Sequence, residues 1–315
     1  MSNAFEHVAV FHDGPEDLAR RTVPDLLQAL DRGEAVLVCL DETAWGPVAA
    51  GLGDRVDEVT YVPAADRYAA PANAMAVLHR FVADAIARGA GAAWSLGALS
   101  FDGSDADRRW HHYEAAVNEV FVDVPLRGIC SYDVRTTPRQ VLDEAKTTHG
   151  LLVGCEGTEG RTTSPVYGRW AGDWQLPPVE AGAGATLLVA LTAPTPAQAR
   201  EAVGEALVSG EWVCPPDLVD DARLAMTEMV ANALRHGHGD VTVAAWVESA
   251  PDVRVVLEVT DEGPGVSDPF AGLRPPGVGL GGYGLWLIGQ LADGLWFGRS
   301  GARTVCRAAL SRSQG

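Results

Sequence analysis

The chain has 315 residues, 47% of them hydrophobic, more than one hydrophobic core comfortably holds, so two domains of ordinary length are expected. Its 42 acidic residues outnumber 24 basic ones, for a formal charge of −18; such a surface repels a phosphate backbone, which argues against direct nucleic-acid binding and for a protein partner. The five scattered cysteines form no C-x-x-C pair, against a disulfide framework or zinc finger, and neither a long apolar run nor a basic-then-apolar leader appears, so no membrane association and a cytoplasmic location are expected.

The first half begins with an apolar run at His7 to Phe11, a helical stretch from Pro15 to Arg32 and a second run at Ala35 to Leu40. Further strands are expected at Val56 to Val62, Ala92 to Leu96, Gly128 to Tyr132 and Leu151 to Val153, separated by Ala-rich helices around 71–88 and 106–122. This alternation predicts an α/β domain over residues 1–155, with a doubly wound, mostly parallel sheet.

From Glu156 the pattern breaks into Gly, Pro and Thr with Trp170 and Trp174, read as a linker over 156–184. In the second domain, 185–315, a strand at Ala185 to Leu191 and a helix at Pro196 to Val208 precede a long helix at Asp217 to His236. Strands at Asp240 to Val247 and Asp252 to Thr260, a glycine-rich loop, a helix from Gly284 and a closing strand near Thr304 to Leu310 follow, which predicts an α+β sandwich.

Helical spacing puts Glu228, Asn232 and Arg235 on one face of the long helix, with Met226, Val230 and Ala233 turned to a core. The amide oxygen of Asn232 suits Mg²⁺, a hard cation, and Glu228 is placed to take a proton from an attacking hydroxyl. Three polar residues at such spacing are more commonly solvated surface charges, and context decides against that here. The strand to Thr260 runs into Asp261-Glu-Gly263-Pro-Gly265, where glycines let the backbone approach a flat ligand and Asp261 can accept from an exocyclic amine. Gly277, Gly279, Gly281, Gly282 and Gly284 then open a helix whose first amides can converge on anionic oxygens. No Walker lysine and no βαβ unit accompany them.

In order and spacing, Glu228-x-x-x-Asn232 resembles the N box of the GHKL superfamily, Asp261-x-Gly263-x-Gly265 its G1 box and Gly282-x-Gly284-Leu285 its G2 box. Glu228-Met-Val-Ala-Asn-Ala-Leu-Arg-His-Gly and Gly281-Gly-Tyr-Gly-Leu-Trp-Leu-Ile look most like the RsbW/SpoIIAB class of anti-sigma serine kinases. The resemblance implies a Bergerat ATP-binding domain with ATP and Mg²⁺ as cofactors. Asp261 would bind adenine, Asn232 would hold Mg²⁺, Glu228 would be the catalytic base, and residues 266–281 would form a mobile lid over the ATP. Arg235, Gly281, Leu285 and Thr304 complete the expected nucleotide site. The partner implied is a sigma factor, a STAS-type anti-anti-sigma factor or both, and a homodimer is allowed for. Asp268-Pro269-Phe270 faintly resembles the F box of histidine kinases, which keeps an atypical sensor histidine kinase open beside a non-catalytic module that sequesters its partner.

Residues 5–155 resemble the MEDS sensory domain in His7-Val-Ala-Val-Phe-His-Asp-Gly-Pro-Glu, Leu30-Asp-Arg-Gly-Glu-Ala-Val-Leu-Val, His112-Tyr-Glu-Ala-Ala-Val-Asn118 and Cys130-Ser-Tyr-Asp133. That resemblance implies a RecA/KaiC-like fold and a small-molecule ligand regulating the kinase. Ligands of open parallel sheets bind at the carboxyl ends of strands, so His12, Asp13, Asp41, Tyr132 and Asp133 are candidates for a sensor crevice, although Asp13 and Asp41 serve equally as helix caps. Cys39, Trp94 and Cys130 lie in apolar runs and read as core. His12, Cys130 and His149 lack ligand spacing, so a metal site there is conjecture.

Overall fold

The computed structural model describes residues 5–101, 103, 107–155, 160–169, 180–182, 184–210, 212, 214–248, 253–276 and 282–312. Contacts divide the chain into two units, Met1–Gln175 and Leu176–Gly315. Trp170 and Trp174 of the expected linker lie outside the described residues.

The first unit runs β1 (Glu6–His12), α1 (Pro15–Asp31), β2 (Ala35–Cys39), α2 (Glu42–Leu52), β3 (Thr60–Tyr61), α3 (Ala64–Arg67), α4 (Pro71–Ala87), β4 (Ala93–Ala98), α5 (Asp107–Val120), β5 (Leu126–Asp133), α6 (Arg139–Thr148), β6 (Leu151–Val153) and β7 (Arg161–Thr163). The strands form one sheet in the order β3-β2-β4-β5-β1-β6-β7, parallel except for β7. Both faces are covered, so the central strands read as unbroken apolar runs. Val8, Val10, Val36, Val38, Leu96 and Ile129 pack under α1 and α2. Ala9, Phe11, Tyr132 and Leu152 face the other way, towards Val141 and Ala145 of α6. Neighbouring strands β1 and β5 thus send their helices to opposite faces, which makes their carboxyl ends the topological switch point of the sheet.

Several elements depart from the sequence expectations. The run at Val56 to Val62 leaves a strand of only Thr60–Tyr61, because its charged start winds into a 3-10 turn, Gly53–Glu58, whose Arg55 pairs with Glu58 and Asp31. Helix α6 was hidden by its polar composition: within Arg139–Thr148 only Val141, Ala145 and Thr148 are buried. Arg161–Thr163, inside the expected linker, pairs antiparallel to β6 as an edge strand.

The second unit runs β8 (Thr186–Thr192), α7 (Pro196–Ser209), α8 (Pro216–His236), β9 (Thr242–Glu248), β10 (Val253–Asp261), α9 (Tyr283–Leu291), β11 (Gly294–Ser300) and β12 (Arg303–Arg312). Its sheet is antiparallel, in the order β11-β12-β10-β9-β8. In β9 buried and half-buried positions alternate strictly, as in a sheet with one covered face. Val243, Ala245, Val247, Val255, Leu257 and Leu310 meet Val203 and Leu207 of α7 and Met226, Met229 and Val230 of α8. Helix α7 is started by a reciprocal capping box between Thr195 and Gln198. Strand β11 was not anticipated, since its half-buried residues carry no clear period. Among the described residues no helix is long and apolar enough to cross a membrane.

Leu257 is fully buried in the core that β10 shares with α8. Leu257→Ala should cost the second unit about 2–5 kcal/mol, read as a lower midpoint in urea unfolding followed by its own tryptophans, with far-ultraviolet dichroism in water unchanged.

Candidate functional site

A cavity of about 800 Å³ opens in the second unit, within the size range of small-molecule and cofactor sites. Its floor is the sheet, through Val259 and Asp261 of β10 and Thr304 and Cys306 of β12. One wall is the last turns of α8, through Met229, Asn232, Ala233, Arg235 and His236. The facing wall is the chain from Pro264 to Pro276, with Gly282 and Leu285 at the start of α9 and Phe297 of β11 closing the end.

Residues from distant stretches meet here because glycines let the segments touch. The Asp261 carboxylate is wedged between the end of α8 and the turn after β10. A Cβ on Gly237 would lie 2.6 Å from Asp261 Cγ and 2.4 Å from the Ala233 carbonyl, and one on Gly263 would lie 2.7 Å from Asp261 Oδ1. The Gly263 N–H donates to Asp261 Oδ1 at 2.6 Å, and Thr304, the register partner of Asp261, donates from Oγ1 to the Gly263 carbonyl at 2.8 Å. Gly265 takes a φ of +90°, conformational space that a side chain strains. The turn is therefore built to present one carboxylate whose second oxygen no described residue engages. Burial, and then the Asp261 charge, push the Cys306 thiol up to about 12, so that it stays protonated in the cavity floor.

Helices α8 and α9 meet at Gly284. A Cβ there would stand 2.7 Å from Glu228 Oε2, 3.1 Å from Asn232 Nδ2 and 3.4 Å from Asn232 Oδ1. The Asn232 Nδ2 group is buried without a hydrogen-bond partner among the described residues, an unmet requirement that a ligand could satisfy. Gly282, in the left-handed conformation at φ 110°, is the N-cap position of α9 and brings no capping side chain to the first amides of the helix. Arg235 is exposed at the rim. Glu228 is half-buried and touches Gly284, yet it does not line the cavity.

Gly281 and residues 277–280 of the expected lid lie outside the described residues. The lid's first part, 266–276, forms a turn. Phe270 and Leu273 are buried in it, Asp268 Oδ1 accepts from the Phe270 N–H, and Arg274 pairs with Asp268 at 3.2 Å. Met229, His236 and Phe297 are lining residues missed in the sequence; Met229 carried a usable signal, lying one turn before Asn232.

The sensor-crevice candidates do not all gather. His12, Asp13 and Asp133 do, at the switch point. Arg135 lies 2.6 Å from Asp133 and 3.6 Å from Asp13, and His12 Nδ1 donates to the Gly14 carbonyl at 3.0 Å. Burial lowers the His12 pKa despite that bond and the Asp133 charge. Asp41 is instead the N-cap of α2, accepting from the Ala44 N–H at 2.8 Å, and β2 is separated from β1 by β4 and β5. Tyr132 is a correction: its ring is buried on the opposite face, stacked on Phe11 and Phe101, because side chains alternate along β5. Cys130 and His149 come together below the sheet, whereas His12 lies apart from them.

Two family descriptions match the chain: MEDS, the methanogen/methylotroph, DcmR sensory domain, over residues 6–150, and the histidine kinase-like ATPase domain over residues 191–310. No curated protein sequence matches it.

The two glycine contacts differ in what must yield. Gly237→Ala drives a Cβ into backbone and should cost about 1–3 kcal/mol. Gly284→Ala displaces only the ends of Glu228 and Asn232 and should shift stability by less than about 1 kcal/mol. Thermal melts of both variants check this, and equal losses would show that the α8–α9 contact is as rigid as the Asp261 turn.

Proposed function

The chain carries a MEDS sensory domain ahead of a histidine kinase-like ATPase domain, and on that premise we propose an ATP-binding regulatory protein of the anti-sigma serine/threonine kinase type. The observation that carries the nucleotide reading is the Asp261 carboxylate, fixed by Gly263 and Thr304 and open on one oxygen. That oxygen accepts from the exocyclic amine of adenine, while Gly263 and Gly265 let the base lie against the backbone. The unpartnered Asn232 Nδ2 and the side-chain-free surface at Gly284 fit a Mg²⁺–triphosphate group: the amide nitrogen would donate to a phosphate oxygen, the Asn232 oxygen would hold the metal, and the first amides of α9 would meet phosphate oxygens. Arg235 adds a cation at the rim. Mg-ATP, when bound, supplies the transferable phosphoryl group. Glu228 takes the proton of a serine or threonine hydroxyl on a protein partner, a STAS-type protein or a sigma factor.

One observation favours the second reading, a module that sequesters its partner and uses ATP as a conformational ligand. Glu228 rests against the α9 backbone and does not line the cavity. A histidine-kinase reading that uses His149 as acceptor meets its complete burial. For the N-terminal unit, kinship with RecA/KaiC-type folds and a small-molecule crevice at His12, Asp13 and Asp133 belong to the same proposal.

Asp261→Asn should weaken ATP binding about tenfold to a hundredfold, the worth of a charge-assisted hydrogen bond, measured by calorimetry on folded protein. Unchanged affinity would remove the adenine assignment.

Glu228→Gln should spare ATP binding and abolish phosphate transfer to a STAS-type partner, followed with radiolabelled ATP. If the native protein transfers nothing while a sigma factor binds it in the presence of ATP, the sequestering reading holds. Acid-labile phosphate on the chain itself would point to histidine chemistry.

A further inference from the structure

On the face of the first sheet opposite α1 and α2, four side chains from four places in the sequence turn towards one point. His7 comes from β1, Glu114 from α5, Cys130 from β5 and His149 from the end of α6. Ala9 pairs with Cys130, so His7 and Cys130 sit on the same sheet face one step apart. His7 Nε2 lies 3.1 Å from Glu114 Oε2, Cys130 Sγ lies 3.4 Å from Glu114 Oε2 and 3.5 Å from His7 Nε2, and His149 Nε2 lies 3.7 Å from Glu114 Oε2. All four atoms fall within 4.8 Å of one another. A tetrahedral ion with bonds of about 2.0–2.3 Å has ligand–ligand edges of about 3.3–3.8 Å.

The hydrogen bonds behind these groups fix which way they point. Asn118 Nδ2 donates to the carbonyls of Glu114 and Thr148, which turns its Oδ1 towards His7 Nδ1 at 3.2 Å and makes that nitrogen the donor. His149 Nδ1 faces the Ala145 carbonyl at 2.8 Å and must also donate. Both Nε2 atoms therefore present lone pairs towards a carboxylate, and the Cys130 S–H is the one proton among four converging groups. His149 is fully buried and its Nε2 has no hydrogen-bond partner. Acceptors crowded in this way, each imidazole held by a bond on its far nitrogen, are what a metal ion requires.

We propose that His7, Glu114, Cys130 and His149 form a binding site for one four-coordinate divalent transition-metal ion of the zinc type. Two imidazoles, one thiolate and one carboxylate suit such an ion better than Mg²⁺ or Ca²⁺, which prefer oxygen. Coordination replaces the Cys130 S–H bond with a metal–sulfur bond and releases that proton to solvent, leaving the dication balanced by one thiolate and one carboxylate. The site belongs to the first unit and does not rest on the nucleotide reading.

The test uses the full chain, freed of metal by a chelator and titrated with Co²⁺. The expected result is saturation at about one Co²⁺ per chain, with the visible bands of four-coordinate cobalt and a sulfur-to-cobalt charge-transfer band, both displaced by Zn²⁺. Cys130→Ser should remove the charge-transfer band, His149→Gln should weaken binding at least about tenfold, and Cys214→Ser in the second unit should change neither. Titration of the native chain without these bands would overturn the proposal whatever the variants do. So would a charge-transfer band that survives Cys130→Ser and disappears with Cys214→Ser.

Discussion

The carboxylate of Asp261 sits where three stretches of chain meet with no Cβ between them, and the cavity depends on that meeting. Gly237 at the end of α8 and Gly263 in the turn after β10 both press on it, and Thr304 of β12 ties the turn down from the neighbouring strand. The end of the long helix, the loop and the sheet are thereby locked in register around a single negative charge. A side chain at either glycine separates them. Helix α9 is then set by the second close approach, at Gly284, against Glu228 and Asn232. Two contacts made through missing side chains thus account for the cavity's floor and for two of its walls.

Much of this was legible beforehand, for a physical reason. Helical spacing fixes a face, so periodicity placed Glu228, Asn232 and Arg235 together and the glycine motifs that follow marked that face as more than solvated surface, with the buried Met226, Val230 and Ala233 turned elsewhere. Glycines that permit close approach leave a mark in the sequence, and Gly263, Gly265, Gly282 and Gly284 stood out. What periodicity does not encode is depth. Asn232 and Glu228 share a face, yet only Asn232 lines the cavity, a distinction created by where α9 crosses. Phe297 was illegible because its strand, β11, owes its existence to pairing with β12 across the turn at Gly301.

The first unit shows the same division more sharply. Strand ends could be read, and His12, Asp13 and Asp133 do gather at the switch point, but Asp41 was drawn off as a cap and Tyr132 was carried to the other face by the pleat. The His7, Glu114, Cys130 and His149 cluster had no local signature at all. Its members are far apart along the chain and are joined only by parallel pairing of β1 with β5 and by the packing of α5 and α6. In a crossover fold, neighbours in space are routinely strangers in sequence.

The two helices bordering the cavity present opposite ends to it. Asn232 and Arg235 lie in the last turns of α8, where peptide dipoles leave partial negative charge, and Gly282 begins α9, where they leave partial positive charge. The space between is therefore a small capacitor with its plates built from backbone. By itself this field favours an ion pair with its cation towards α8 and its anion towards α9, and it exerts no such torque on a molecule without a dipole. Orientation in this cavity is then shared between main chain and side chains, because the full charges of Asp261 and Arg235 line the same space and Arg235 opposes the backbone bias at the α8 end.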